Sequence, residues 1–239
     1  MTPKELRRGS DRKSNIVQDI LASRARSEHI SSRKQIRQFL DQYVADVPVE
    51  DLDGRSTEVM ARIALSHLDF GANRRKGQTR LRIYNPTEEE HGYTSAYTFV
   101  ELVNDDMPFL VNSVSAAINR HDLNVHITVH PIIRVDRDDD GNIKSICEPG
   151  TDRGQPESFI RLAIDREAGS KQLKSIESEI RSVLSDARLA VRDWQKMNKK
   201  MIEARELLNF GPRRADESLR AESQEFLQWL EYQKFKSSQ

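Results

Sequence analysis

The chain has 239 residues, of which 36% are apolar, 32% charged and 6% aromatic, lean for one compact globule and suited to one ordinary domain with much exposed helix, or to two small domains. With 38 basic and 38 acidic residues the formal charge is zero, which argues against a chain built to hold nucleic acid. Cys147 is the single cysteine, so no internal disulfide forms, and no bilayer-length apolar run or export signal is visible, giving a cytoplasmic protein with no membrane partner as the expectation.

Residues 1–34 are polar, and residues 1–40 hold ten Lys or Arg against four Asp or Glu. Ile16, Val17, Ile20 and Leu21 give a weak helical signal, but the expected form is a flexible, solvated basic arm. Residues 35–78 read as a helical segment. Ile36, Phe39, Leu40, Tyr43 and Val44 share one helix face before the break at Val47-Pro48. A second helix is expected from about Ser56 to Asp69, with Val59, Met60, Ile63, Ala64 and Leu68 inward and Gly71 as its stop. The stretch Thr79 to Tyr84 alternates as a strand. Arg74, Arg75, Lys76, Arg80 and Arg82 form a basic patch, more readily a solvated hairpin edge than an anion site. Thr87 to Gly92 reads as an acidic, solvated turn.

The stretch Tyr97 to Asp138 contains a strand, a helix and a strand. Tyr97 to Val103 carries apolar groups on both faces, as in a strand covered on both sides. Asp105 or Asp106 is placed to cap the following helix, with Pro108 in its first turn. Leu110, Val111, Val114, Ala117, Ile118 and His121 make that helix's apolar face. From Val125 the period becomes two, with Val125, Ile127 and Val129 on one side and His126, Thr128 and His130 on the other. A hairpin is expected around Asp139-Asp140-Gly141-Asn142, with Ile143 to Cys147 returning. Ser158 to Ile164 is another strand. From Ser170 the period is helical without Gly or Pro until Gly211, and a last helix is expected near Asp216 to Lys234.

The run ELVNDDMPFLVNSVSAAINRHDLNVHITVHPIIRVDRDDDG resembles the N-terminal ACT-like region of the large bacterial NAD-specific glutamate dehydrogenases. The segments RIYNP, ESFIRLAIDR and VLSDARLAVRDWQKM fall in that family's order, so the resemblance covers roughly residues 40 to 230. Asn112 departs from the acidic residue expected there, and the tail departs after the Trp229 helix. The resemblance implies an α+β fold, an ACT-like (ferredoxin-like) antiparallel sheet with two packing helices over residues 79–200. An N-terminal helical segment would precede it, and a truncated helical extension, residues 201–239, would follow. A regular ACT sheet needs a strand after its second helix. Little but helix lies there, so the strand at Thr79 to Tyr84 is expected to take its place.

The resemblance further implies a regulatory or assembly segment without catalytic residues, of an enzyme that oxidises L-glutamate to 2-oxoglutarate and ammonia with NAD. NAD is then a cofactor of the full-length enzyme and not of this chain. The alternative is a free-standing ACT-like module that binds an amino acid or a protein. In amino-acid-sensing ACT domains the ligand sits at the turn between first strand and helix, here Asn104, Asp105, Asp106, Met107 and Pro108. Phe109 stands where such domains usually carry glycine. Pairing of such domains would use the polar surface of His126, Thr128 and His130, and a split enzyme would add the remainder of the dehydrogenase as a partner.

No phosphate-cradling glycine loop is present, neither GxGxxG nor GxxxxGK. His126 and His130 on one strand face lie about 13 Å apart, too far to share a metal ion. The DRDDDGN run lacks the glutamate a calcium loop needs at its twelfth position, where Cys147 stands. No metal site is expected.

Overall fold

The computed structural model describes residues 3–45, 47, 56–210 and 221–228. Its elements in order are α1 (Pro3–Ala22), α2 (Arg33–Tyr43), α3 (Thr57–Phe70), β1 (Arg80–Tyr84), α4 (Glu88–His91), β2 (Thr98–Asp105), α5 (Leu110–Asn119), β3 (Val125–Val129), β4 (Ile132–Arg137), β5 (Ile143–Ile146), β6 (Gln155–Ile164) and α6 (Ser170–Phe210). Residues 221–228 are helical as well. Residues 1–183 form one compact unit and residues 184–239 a second.

The sheet is antiparallel throughout, in the order β1-β2-β6-β4-β5, with β3 also on β6. The ten-residue β6 is long enough to serve both β4, along residues 155–158, and β3, along residues 161–164. Pro131 separates β3 from β4, having no amide to give a continuous ladder. In a βαββαβ unit the first strand lies between the third and the fourth. Here β2 lies between β6 and β1, so β1, which precedes the unit, occupies the fourth position.

The two central strands are buried on both faces, as their apolar composition predicts. On one face Val103, Phe159, Ile133 and Val135 pack with Phe39 and Leu40 of α2, Ala61, Ala64 and Leu68 of α3, and Val17 and Ile20 of α1. Val100, Leu102, Ile160 and Leu162 alternate to the other face. There α5 contributes Leu110, Val114, Ala117 and Ile118, and the first turns of α6 contribute Ile176 and Ile180. Glu179 of α6 is ion-paired to Arg120 just after α5 at 2.8 Å, and its other carboxylate oxygen lies 2.9 Å from His121 Nε2.

Three local expectations are corrected. The basic arm is a helix, α1, because burial of Val17 and Ile20 against α2 and α3 outweighs the repulsion of its charges. The acidic turn is one turn of helix, α4, with the Thr87 hydroxyl accepting from the Glu90 amide and Gly92 closing it at φ 70°. Neither Asp105 nor Asp106 caps α5. Phe109 stands at the N-cap with φ 69° and no side-chain acceptor, a conformation costly for a bulky residue. Gly71 ends α3 as expected, as its C-cap at φ −85°. Its lack of a side chain serves close packing, since a Cβ there would stand 2.8 Å from the Phe159 ring. Most of the helix expected at Asp216 to Lys234 lies outside the described residues, which confirm helix for 221–228.

Phe159 is fully buried, so Gly71→Ala forces the ring or α3 to shift. The expected loss is about 1–3 kcal/mol of unfolding free energy, measured as a lower urea midpoint with unchanged slope.

Candidate functional site

The β2–α5 turn is built from the end of a central strand. Asn104 is buried, accepts from the Thr79 hydroxyl at 2.6 Å and donates to the Asp105 carbonyl at 2.7 Å. Asp105 accepts from Arg74 Nη1 at 2.8 Å and from the Gly77 amide at 2.8 Å. Both side chains therefore hold the 74–79 turn against the sheet. Asp106 is exposed, and its Oδ1 accepts from the Ser158 hydroxyl at 2.7 Å. His130 Nε2 lies 3.0 Å from the same hydroxyl, so of the expected turn residues it is Asp106 that the structure joins to His130. Met107 is half-buried and Pro108 exposed.

Register explains why Arg74 is buried. It sets Asp105 directly opposite Glu157, two like charges that would destabilise the pair of strands. Arg74, 1% exposed, joins both, reaching Glu157 Oε1 at 2.7 Å and Oε2 through Nε at 3.2 Å. Arg137 forks onto the same carboxylate at 2.7 and 2.8 Å. Arg74 is thus no part of a solvated hairpin edge.

A second set of charges crosses the sheet in one row. Arg82 of β1 is opposite Glu101 of β2, which is opposite Arg161 of β6. Glu101 accepts from Arg82 Nε at 2.8 Å and from the Tyr84 hydroxyl at 2.9 Å. Burial opposes charge on Glu101, but the permanent charges of Arg161 and Arg82 outweigh it and hold the carboxyl below its usual range. Arg161 donates to the Tyr93 hydroxyl at 2.9 Å and stacks on Phe99 at 3.9 Å. Its Nε lies 3.2 Å from Glu101 Oε1, close enough for an ion pair but without hydrogen-bond alignment. His67 is wholly buried beneath the row. Its Nε2 faces the Leu102 carbonyl at 3.4 Å, so its Nδ1, 3.1 Å from the Tyr43 hydroxyl, is the acceptor. Burial pushes the imidazole down to about 4.

On β3, His126 and Thr128 are exposed, and His130, just beyond its end, is half-buried. His126 lies at a bulge and pairs with Asp165 at 2.6 Å. Hydrogen bonds from the Asn124 amide, His126 and the Asn124 side chain hold that carboxyl down to about 2. Among the described residues no cluster of three or more His, Cys, Asp or Glu is arranged to hold a metal, and no helix is long and apolar enough to cross a membrane.

The strand order, the helix pair on one face and the turn before α5 define a permuted ACT-type fold. Residues 39–180 match the family described as the ACT1 domain of glutamate dehydrogenase, and the chain belongs to it. It is 34% identical over 199 residues to the NAD-specific glutamate dehydrogenase of Halomonas elongata, and 32% over 191 residues to that of Pseudomonas aeruginosa. Those alignments cover 82% and 78% of this chain but 12% of each relative, so the chain spans a small part of the enzymes it matches.

The buried imidazole gives a pH signature. Its folded-state value lies below that of the unfolded chain, so unfolding takes up a proton in acid. Its contribution is complete above about pH 6.5 and lost as the pH falls through about 4, a total of about 3 kcal/mol. His67→Gln is expected to flatten the fall in urea midpoint between pH 7 and pH 4.5. An unchanged profile in the variant refutes this.

Proposed function

We propose that this chain is a non-catalytic regulatory and assembly segment of a NAD-specific glutamate dehydrogenase. The complete enzyme then oxidises L-glutamate to 2-oxoglutarate and ammonia with NAD. The observation that carries the reading is the family match across the sheet domain, at 12% of the relatives' length. The chemistry of the buried side chains agrees with it. Glu101, Glu157, Arg74 and Arg137 are occupied in tying strands together, which suits a scaffold better than a site of proton or hydride transfer. The isolated chain is expected to show no glutamate-dependent NAD reduction under conditions where a full-length relative turns over. Measurable turnover by the chain alone sinks the reading.

Regulation would act at the β2–α5 turn, through an amino acid. The first amides of α5 have no side-chain cap, and such amides suit a carboxylate. Asp106 is the acidic group there with an oxygen to spare for an ammonium, since Asp105 is held by Arg74 and Gly77. Phe109, 53% exposed, is the side chain that would fold over a bound ligand. In calorimetry against a panel of amino acids, Asp106→Ala is expected to weaken binding at least tenfold while costing little stability. Binding that survives the substitution places the ligand elsewhere.

Assembly would use β3 and the long helix. Among the described residues the outer edge of β3 pairs with no strand, and Thr128 is exposed on it. Met197 and Leu207 of α6 are 58% and 70% exposed, apolar surface suited to a further copy or to the remainder of the dehydrogenase. Sedimentation is expected to show a dimer that Thr128→Asp weakens, and a monomer at high concentration counts against this.

A further inference from the structure

Beside Arg161, between the sheet and α1 to α3, lies a cavity of about 70 Å³. One water needs about 10–15 Å³ on the same measure, so the space suits about five to seven non-hydrogen atoms. Its wall is apolar except for two residues, Tyr43 and Arg161. Register puts it at the end of the charge row, because the next residue after Arg82, Glu101 and Arg161 is Val129 of β3, which lines the cavity.

The charges of the row do not balance. Arg82 satisfies Glu101, and with His67 pushed down to about 4 it is neutral at neutral pH. Two guanidinium groups thus face one carboxylate, and Arg161, 6% exposed, is the more deeply buried. Its Nη2 is used by Tyr93, and its Nε lies 3.2 Å from Glu101 Oε1 without hydrogen-bond alignment. A buried cation that shares its one carboxylate with Arg82 can take a further anion at its side. The cavity offers the remaining space, and its apolar wall selects what the anion is attached to.

We propose that this cavity binds a small monocarboxylate with a short branched aliphatic chain. The carboxylate meets Arg161, and the chain lies among Val44, Met60, Ile127 and Val129. An α-amino group is excluded because the lining contains no carboxylate, and the Tyr43 hydroxyl is engaged with His67. A long fatty acid exceeds the volume. This site is on the opposite face of the sheet from α5 and does not depend on the amino-acid reading of the β2–α5 turn.

The test is methyl NMR of the 239-residue chain titrated with 3-methylbutanoate, its neutral amide 3-methylbutanamide, and L-valine, its α-amino analogue. Saturable shifts at the Met60, Ile63 and Ile127 methyls are expected with the acid, with at least tenfold weaker binding of the amide and of L-valine. Arg161→Gln is expected to weaken the acid by a similar factor. Should that variant fail to fold, the comparison of acid with amide on the unaltered chain still decides. Equal affinity for the amide or for L-valine overturns the proposal, as does the lack of a saturable shift at these methyls.

Discussion

The structure depends on the row of charges from Arg82 through Glu101 to Arg161, which lies inside a sheet covered on both faces. A carboxylate at Glu101, 0% exposed, has no water to solvate it, and an unmatched charge there would cost several kcal/mol. It is matched only when β1, β2 and β6 stand in one register, since a shift by one residue turns the partners to opposite faces. The ion pairs therefore specify the sheet's alignment more than they stabilise it. Replacing the whole row by apolar residues of similar volume would remove that specification without necessarily lowering stability. Removing one member would leave a buried charge exposed to its neighbours.

The same logic operates at the other end of β2 and β6, with the signs reversed. There the strands bring two carboxylates together, Asp105 and Glu157, and an arginine from outside the sheet resolves the conflict. Arg74 follows α3 by a few residues, so the ion pairs also fasten the N-terminal helices to the sheet. This explains how a chain with few aromatics closes a second layer over its sheet. The helices bring Phe39, Leu40 and Leu68, while Arg74 and Arg137 fix the junction by binding Glu157, Ala72 and Gly71.

Much of the fold was legible because periodicity reports burial. The two-sided apolar pattern of Tyr97 to Val103 identified a central strand, and the stripe from Leu110 to Ile118 identified α5. What periodicity does not report is which strand lies beside which. Arg74 and Arg82 read as a solvated edge because an arginine's partner is invisible until register is known. His67 carried no signal, since a lone histidine on an apolar helix face looks like any core position. The helix in the basic arm is only faintly visible, since ten cations in forty residues outnumber the apolar signal of Val17 and Ile20. The β2–α5 turn was located correctly, but the roles of its aspartates were not. One or the other is expected to cap α5, while the structure directs Asp105 to Arg74 and Asp106 to Ser158.

The position of β1 has a consequence for the chain that follows. With the fourth place of the sheet filled before the unit begins, the chain has no strand to return to after its second helix. An α6 of 41 residues is then permitted, where a βαββαβ unit would require a turn near its middle. The exchange also changes what guards the sheet's edge. An added strand at a free edge is an aggregation hazard, and β1 meets it by stacking Arg80 and Arg82 on Phe70 of α3, 5.2 and 4.5 Å from the ring centre. Those arginines hold the edge strand to the helix layer on one side, while Arg181 of α6 reaches the Leu81 carbonyl from its own side at 3.4 Å. An edge strand fixed from both layers is not free to exchange, so α6 extends from a sheet whose last position is already closed.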